Sequence, residues 1–169
     1  MSNTVGAILL DTRSIQRYVF GCNDLKTNIG ASYLVDAIFE EAMLKVLQEQ
    51  NFDNLVLDWE SRNELLMCKD YSIDCEIAYI GGGNMVILVR TTDDDLAICK
   101  KIVADWSTKL LLEAPGLKTG AAIGMIDLEE DFQASLDALF KKLKEHQNTI
   151  FPNVDLPYTG LTLECDVSG

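Results

Sequence analysis

The stretch Tyr79-Ile80-Gly81-Gly82-Gly83-Asn84-Met85-Val86-Ile87-Leu88 decides the fold. Apolar residues lead in and out of it, and three glycines and an asparagine lie between them. Glycine and asparagine tolerate the positive φ that a tight hairpin turn requires, and Ile, Val and Tyr favour strands. The stretch therefore predicts a β-hairpin whose bare turn lets a ligand approach the backbone. Taken alone, it is more typical of an ordinary structural hairpin than of a ligand site.

A second short stretch places an acid at the end of a strand. Residues 5–10 (VGAILL) form a continuous apolar run, which indicates a strand buried on both faces, and Asp11 follows it. Ligands often bind at such strand ends, so Asp11 is a candidate metal ligand or phosphate neighbour. A turn or helix-cap aspartate is the alternative interpretation. Arg13 and Arg17 come next as candidate phosphate contacts, and Ser14 is predicted to cap a short helix.

Periodicity supplies the remaining elements. Helices are predicted over residues 30–49, from the acidic run at 92–95, and over 130–145, with a polar loop at 21–28. Strands are predicted at 54–57, 71–80 and 119–125, the last made thin by glycine and alanine so that a helix or ligand lies close. The order is a βαββαβ core with one added helix. This predicts an α+β, ferredoxin-like fold with a mainly antiparallel sheet and helices on one face.

That topology predicts where the two stretches meet. In a βαββαβ core the first and third strands are antiparallel neighbours, so the end of one lies beside the start of the other. Asp11 is therefore expected to approach the hairpin tip at residues 81–84. The juxtaposition makes a ligand site more plausible than either stretch does alone.

Composition narrows the class of partner. The chain has 169 residues and a formal net charge of −13, which argues against a surface that grips DNA or RNA backbone by charge. Five cysteines without CxxC spacing suggest neither a disulfide framework nor a zinc site, and fit reduced thiols in a cytoplasmic protein. We find no signal peptide and no apolar segment of membrane-spanning length, so no membrane association is expected.

Several motifs in series carry a resemblance to a known family. They are the strand ending in Asp11, then 14–20 (SIQRYVF), 30–35 (GASYLV), the glycine hairpin, and 157–165 (PYTGLTLEC). Together they resemble the palm domain of the large subunit of type III CRISPR effector complexes, a polymerase- and cyclase-like family related to class III nucleotide cyclases and GGDEF-type diguanylate cyclases. The resemblance covers most of the chain. It implies a palm/cyclase-like domain at 1–150 and a tail at 151–169 that leads into a further domain of a longer chain.

The resemblance also implies a ligand and a site. Active palms of this antiviral defense family bind ATP and make cyclic oligoadenylates through a Gly-Gly-Asp-Asp hairpin that holds metal ions. Here Gly83 and Asn84 stand at the two aspartate positions, so the motif is degenerate. Mg²⁺ or Mn²⁺ with ATP is the expected cofactor, and Asp11 is the candidate metal ligand and catalytic residue. The expected nucleotide-binding residues are Asp11, Thr12, Arg13, Ser14, Asn28, Ser32, Gly81, Gly82, Gly83, Asn84, Lys142 and Lys144.

Three functional hypotheses follow. The first is a catalytically degenerate palm that binds a nucleotide or pairs with a partner palm, as a homodimer or with another chain, among CRISPR effector subunits. The second is an active nucleotidyltransferase or nucleotide cyclase, making cyclic oligonucleotides, in which a second palm supplies the missing ligands. The third is a ferredoxin-like interaction or RNA-binding module. It ranks last because the strands lack paired stacking aromatics and the net charge is unfavourable.

Overall fold

A computed structural model describes residues 4–91, 95–129 and 132–148, with side chains described as far as residue 145. The predicted acidic helix start at 92–94, the tail at 151–169 and its family-like segment lie outside these ranges. The strands are β1 (Thr4–Arg13), β2 (Leu55–Val56), β3 (Cys75–Gly81), β4 (Asn84–Val89) and β5 (Lys118–Asp127). The α-helices are α1 (Ile15–Val19), α2 (Leu25–Ala37), α3 (Leu44–Gln48), α4 (Ala97–Glu113) and α5 (Phe132–Asn148).

The five strands form one sheet in the order β2-β3-β4-β1-β5. Strand β1 is antiparallel to both β4 and β5, β3 is antiparallel to β4, and the short β2 is parallel to β3. Without β2, this is the strand order of a βαββαβ ferredoxin-like core, in which the first strand lies between the third and the fourth. The predicted α+β fold is therefore confirmed, and the antiparallel pairing of the first and third core strands is confirmed with it.

The sheet is covered on both faces, although helices on only one face were predicted. On one side, Ile8 and Leu10 of β1 pack with residues of α2, α3 and α4. On the other, Val5, Ala7 and Leu9 pack with residues of α5. Every residue from Val5 to Leu10 is buried. The apolar run does not alternate because both faces of β1 are covered, as the sequence indicates. The helix added to the core is the one that covers the second face.

The long helix predicted over residues 30–49 begins earlier, at Leu25. Helix α2 starts at Leu25 because Asp24 caps it, accepting a hydrogen bond from the Thr27 N–H at 2.8 Å. The predicted polar loop at 21–28 is therefore wrong in its second half. Helical backbone continues through one wider π-type turn (Ile38–Met43) to the end of α3. At α1, Ser14 makes no capping bond, because its backbone is left-handed with φ 55°.

Strand β3 contains a bulge, so its side chains do not alternate between the two faces of the sheet as the sequence predicts. The register against β4 shifts between Ile77 and Tyr79. Ile77 is fully buried in the core under α2, α3 and α4, whereas Tyr79 pairs with Val86, whose side chain belongs to the opposite face. Tyr79 therefore does not share a face with Cys75 and Ile77, as strict alternation predicts, because the extra residue changes the period.

The thin strand predicted at 119–125 does lie under a helix. A Cβ placed on Gly124 would lie 3.0 Å from Leu139 Cδ2 of α5, so the glycine gives the helix room to approach. On the other face, Phe39 and Trp106 stack with ring centroids 5.8 Å apart, and the indole N–H donates to the Ile38 carbonyl at 3.2 Å. In the part of the chain that the structure describes, no helix is long and apolar enough to cross a membrane.

Candidate functional site

Asp11 and the glycine hairpin lie side by side, as predicted. Asp11 of β1 is the register partner of Asn84, the first residue of β4, and on its other side it faces Gly120 of β5. Register partners in antiparallel strands point to the same face of the sheet. The acid therefore lies between an amide side chain and a residue with no side chain, at the end of the sheet where the hairpin turns.

The hairpin turn is tight and held firmly to β1. Gly82 and Gly83 have φ values of 61° and 83°, the positive pair that a two-residue turn of type I′ requires. Both the backbone N–H and the hydroxyl of Thr12 donate to the Gly83 carbonyl, at 2.8 Å and 2.5 Å. Thr12, expected among the nucleotide-binding residues, is buried and holds the hairpin in place.

A side chain at Gly83 would force its neighbours on β1 and α1 to shift. A Cβ built on it would lie 2.6 Å from Ile15 Cδ1 and 2.9 Å from Thr12 Oγ1. At Gly82 the same test finds open space. Gly83 therefore combines a positive φ with close neighbours, and both favour glycine at this position.

The residues beside the hairpin form a small ligand set for a metal. Asp11 contributes one carboxylate and Asn84 one amide, and Gly83 and Gly120 contribute no side chain. Mg²⁺ takes one or two carboxylates together with phosphate oxygens and waters, so this set suits one ion brought with a phosphate. It does not suit a two-ion centre. Across residues 4–91, 95–129 and 132–148, no three His, Cys, Asp or Glu side chains are grouped as metal ligands.

The predicted base-side residues lie on α2. Asn28 joins this helix to the loop after α1: with its amide nitrogen oriented to donate, it lies 2.7 Å from the Val19 carbonyl and 2.9 Å from the Cys22 carbonyl. Ser32 is exposed one turn further along. The structure thus gives Asn28 a role in fixing the position of α2 and leaves Ser32 at the surface.

The two candidate lysines lie on α5. Lys142 Nζ donates to the Ile123 carbonyl of β5 at 2.6 Å. Ile123 is the register partner of Ile8, three positions along β1 from Asp11. Lys144 is exposed on the same helix. In this arrangement Lys142 is engaged with the edge strand of the sheet, away from the hairpin turn.

A cavity of about 470 Å³ opens near the carboxyl end of β1. Its positive charges come from Arg13, Arg17 and Lys118, and we call it the cationic cavity. Arg13 and Lys118 are register partners on β1 and β5. The remaining lining residues belong to α1, the loop after it, the first turn of α2 and the loop after α4: Ser14, Tyr18, Val19, Gly21, Cys22, Thr27, Pro115 and Gly116.

The sequence pointed to only part of this cavity. Arg13 and Ser14 were expected at a nucleotide site and Arg17 was a candidate phosphate contact, but Lys118 was missed. The topology could have indicated it. A strand antiparallel to β1 begins beside the end of β1, so Lys118 at the start of β5 must lie near Arg13.

The buried carboxylate of Glu76 and the buried thiols are structural. The carboxylate of Glu76 accepts from the backbone N–H groups of Leu66 and Met67, at 2.9 Å and 2.7 Å, and pairs with Arg62. Burial raises the pKa of the Cys99 thiol to about 11 and also raises the pKa of Cys75, so neither is a thiolate at neutral pH. These groups stabilise the fold and leave the strand ends as the candidate site.

Comparison with known proteins gives a shared fold. No protein-family model matches the sequence, and no curated protein is detectably similar to it. Among solved structures, the chain is similar to Csm1 of T. onnurineus, with 14% identity over 86% of this chain and 20% of that chain and a TM-score of 0.60. An apo Csm1-Csm4 cassette matches with 12% identity, 86% and 19% coverage and a TM-score of 0.62.

A third similar structure was solved with a nucleotide. It is a Csm1-Csm4 cassette in complex with one ATP, with 14% identity over 85% of this chain and 19% of that chain and a TM-score of 0.57. The chain thus spans about a fifth of the length of the Csm1 chains that it matches. At these identities the likeness establishes the fold, which is that of a palm-like part of Csm1.

Proposed function

We propose that this chain is a CRISPR-associated palm-type domain that binds ATP and is catalytically degenerate. One observation carries the proposal: Asp11 is the direct sheet partner of Asn84 in the glycine hairpin, although the two lie far apart in sequence. The support from outside the chain is the fold shared with Csm1, which has been solved with ATP. The nucleotide phosphates would lie over the bare turn, beside the single carboxylate.

Degeneracy follows from the side chains at the turn. Phosphoryl and nucleotidyl transfer with two metal ions needs carboxylates that bridge both ions. The hairpin contributes none, because Gly83 has no side chain and Asn84 is neutral. Mg²⁺ or Mn²⁺ would arrive with ATP and be held by phosphate oxygens, with Asp11 as the protein carboxylate. The protein's part is then binding and orientation.

Calorimetric titration of ATP with Mg²⁺ into the protein tests the proposal. We expect binding, and we expect Asp11→Asn to weaken it by roughly ten- to a hundredfold, since a lost charge-assisted contact costs about 1.5–3 kcal/mol. Asp137→Asn is the matched control, because it makes the same change on the exposed surface of α5. If ATP binds neither with Mg²⁺ nor with Mn²⁺, the proposed nucleotide binding is wrong and only a scaffold role is left.

A second candidate function, pairing with another palm, has an observation of its own. Leu25, Ile29 and Tyr33 follow one another at intervals of four along α2 and are 72%, 62% and 60% exposed. Residues at this spacing share one helix face. Phe20, 68% exposed, lies just before the helix. Exposed apolar patches of this kind mark interaction sites, and a partner palm or another CRISPR effector subunit fits the proposed assembly.

Activity with a paired palm is tested by products. Labelled ATP would be incubated with the protein and the mixture chromatographed for linear and cyclic oligoadenylates, while sedimentation measures the oligomeric state. A degenerate domain makes no product. A product that disappears in Asp11→Asn, together with a dimer that dissociates in Ile29→Glu, would instead establish an active paired nucleotidyltransferase.

A further inference from the structure

The sheet formed by the described residues has two edges, and they differ in how they are protected. At one edge, β2 is only two residues long, and β3 beside it carries the bulge after Ile77. Short strands and bulges are devices that keep an edge from pairing with another molecule. At the other edge, β5 runs for ten residues without a proline and pairs with β1 in an unbroken register. Strand β5 therefore has neither of the devices that protect the opposite edge.

Hydrogen bonding at the hairpin shows which backbone groups of β5 point outward. The Thr12 N–H donates to the Gly83 carbonyl, so the backbone groups of Thr12 and of every second residue before it face β4. The intervening residues of β1 face β5, where their register partners include Gly120, Ala122 and Gly124. The N–H and C=O groups that point away from β1 are therefore those of Thr119, Ala121, Ile123 and Met125.

A lysine of α5 contacts this outward row. Lys142 Nζ donates to the Ile123 carbonyl at 2.6 Å. Within the part of the chain that the structure describes, no strand pairs with β5 on the side away from β1. Lys142 thus takes up an acceptor that an added strand would need. It also places a charge where that strand would have to remove it from water, and such desolvation is costly.

The strand itself is open to a close neighbour. Small residues make up much of its length, namely Gly120, Ala121, Ala122 and Gly124. Lys118 and Met125 are exposed, and Met125 has 37% of its surface accessible. A ten-residue strand is about twice as long as an average one. Long, flat edges of this kind associate unless a charged side chain or a covering element prevents it.

A second copy of this chain is the partner that such an edge fits. Two β5 strands placed antiparallel about a two-fold axis offer each other the same row of donors and acceptors, so the surface is self-complementary. The strand begins with Lys118 and ends with Asp127. Antiparallel pairing brings the lysine end of each copy to the aspartate end of the other, so the charges at the two ends are complementary as well.

We infer that the outer edge of β5 is a self-pairing surface that Lys142 blocks. The contact with the Ile123 carbonyl keeps the sheet from extending into a second copy, and removal of the lysine opens the edge. This role differs from the nucleotide contact that the family resemblance implies for Lys142. It is also independent of ATP binding at Asp11 and of the exposed apolar residues on α2.

Sedimentation velocity of the full 169-residue chain over a range of concentrations tests the inference. We expect Lys142→Met to self-associate roughly tenfold more tightly than the wild type, because no charge then opposes pairing at the edge. Lys142→Arg should sediment as the wild type does, because arginine keeps a charged donor at this place. Lys141→Met is the matched control, since it removes a neighbouring exposed lysine of α5 and changes the net charge equally. Equal association of the two methionine variants would overturn the inference.

A proline substitution tests whether the association uses β5. The N–H of Ala121 points outward, so Ala121→Pro removes a donor that an added strand would use and leaves the bonds to β1 in place. Combined with Lys142→Met, it should restore the sedimentation of the wild type. Association that persists in the double variant would use another surface and would contradict the inference. Circular dichroism checks that each variant is folded.

Hydrogen exchange examines the same edge in the wild-type protein. The outward amides of Ala121 and Met125 should exchange quickly, whereas the inward amides of Ala122 and Gly124 should be protected by their bonds to β1. In Lys142→Met the outward amides should become protected as the protein concentration rises. Protection of the outward amides in the wild-type monomer would mean that the edge is already covered, and the inference would then be wrong whether or not ATP binds at Asp11.

Discussion

The two sides of α1 differ in charge and in packing. On the hairpin side, one carboxylate and one amide flank a turn that Thr12 and Ile15 pack against closely. On the cavity side, three cations surround an open space of about 470 Å³. Both sides lie where β1 ends, and the same short helix separates them.

The comparison shows that the fold fixes where residues lie, whereas the sequence decides which chemical groups stand at those places. The palm-like sheet brings a strand-end acid and a hairpin together whatever residues the turn carries. Here the turn carries Gly83 and Asn84, and Ile15 of α1 packs against it. Positive charge lies on the neighbouring side, at Arg13, Arg17 and Lys118.

The largest effect is expected when an aspartate is placed at the turn. Gly83→Asp places a side chain at φ 83° and against Ile15 and Thr12, so we expect a loss of about 2–4 kcal/mol in the free energy of unfolding. Urea denaturation of the variant and the wild type measures it. A loss of this size would show that backbone and packing together disfavour a carboxylate at residue 83.

Gly82→Asn is the control for that substitution. Gly82 has φ 61° in open space, and asparagine tolerates this conformation, so the cost should stay below about 1 kcal/mol. Equal losses at the two positions would mean that backbone conformation alone, and not the contact with α1, excludes a side chain at residue 83.

Most of the fold was predictable because its signals are local. The apolar run before Asp11 and the glycine turn each specify their own strand, and the βαββαβ order then dictates that they pair. The bulge after Ile77 and the left-handed Ser14 were not predictable, since each depends on tertiary contacts that override propensity. Helix α2 begins earlier than the sequence predicts, because Asp24 caps it and the prediction places Asp24 in a loop.

The candidate site was predictable in its position but incompletely in its members. Asp11 and the hairpin were found from the sequence because one topological rule connects them. Lys118 was not, because its importance comes from standing opposite Arg13, a register that is visible only once β5 is placed against β1. Lys142 fits helical periodicity as an exposed residue, and the sequence does not show that it contacts the Ile123 carbonyl.

A smaller effect is expected from an aspartate at residue 84. Asn84→Asp places a carboxylate directly opposite Asp11, and like charges in such pairs destabilise by roughly 0.2–1 kcal/mol. Mg²⁺ should offset this loss by binding between the two acids, so the melting temperature of the variant should rise with Mg²⁺ while that of the wild type changes little. Identical Mg²⁺ responses would show that residue 84 does not face a metal position.

The smallest effect concerns Asp24, which caps α2 and binds Thr27 in the wall of the cationic cavity. Hydrogen bonds from the Thr27 hydroxyl and N–H lower the pKa of Asp24, at 2.7 Å and 2.8 Å. A lowered folded-state pKa means that this stabilisation is full above the unfolded pKa of about 3.9 and is lost as pH falls through the folded value. Hydrogen-exchange protection of the Thr27 amide should therefore decline in that acid range. Asp24→Asn keeps a capping oxygen that does not titrate, so its protection should hold there, and an equal decline in this variant would assign the acid sensitivity to another group.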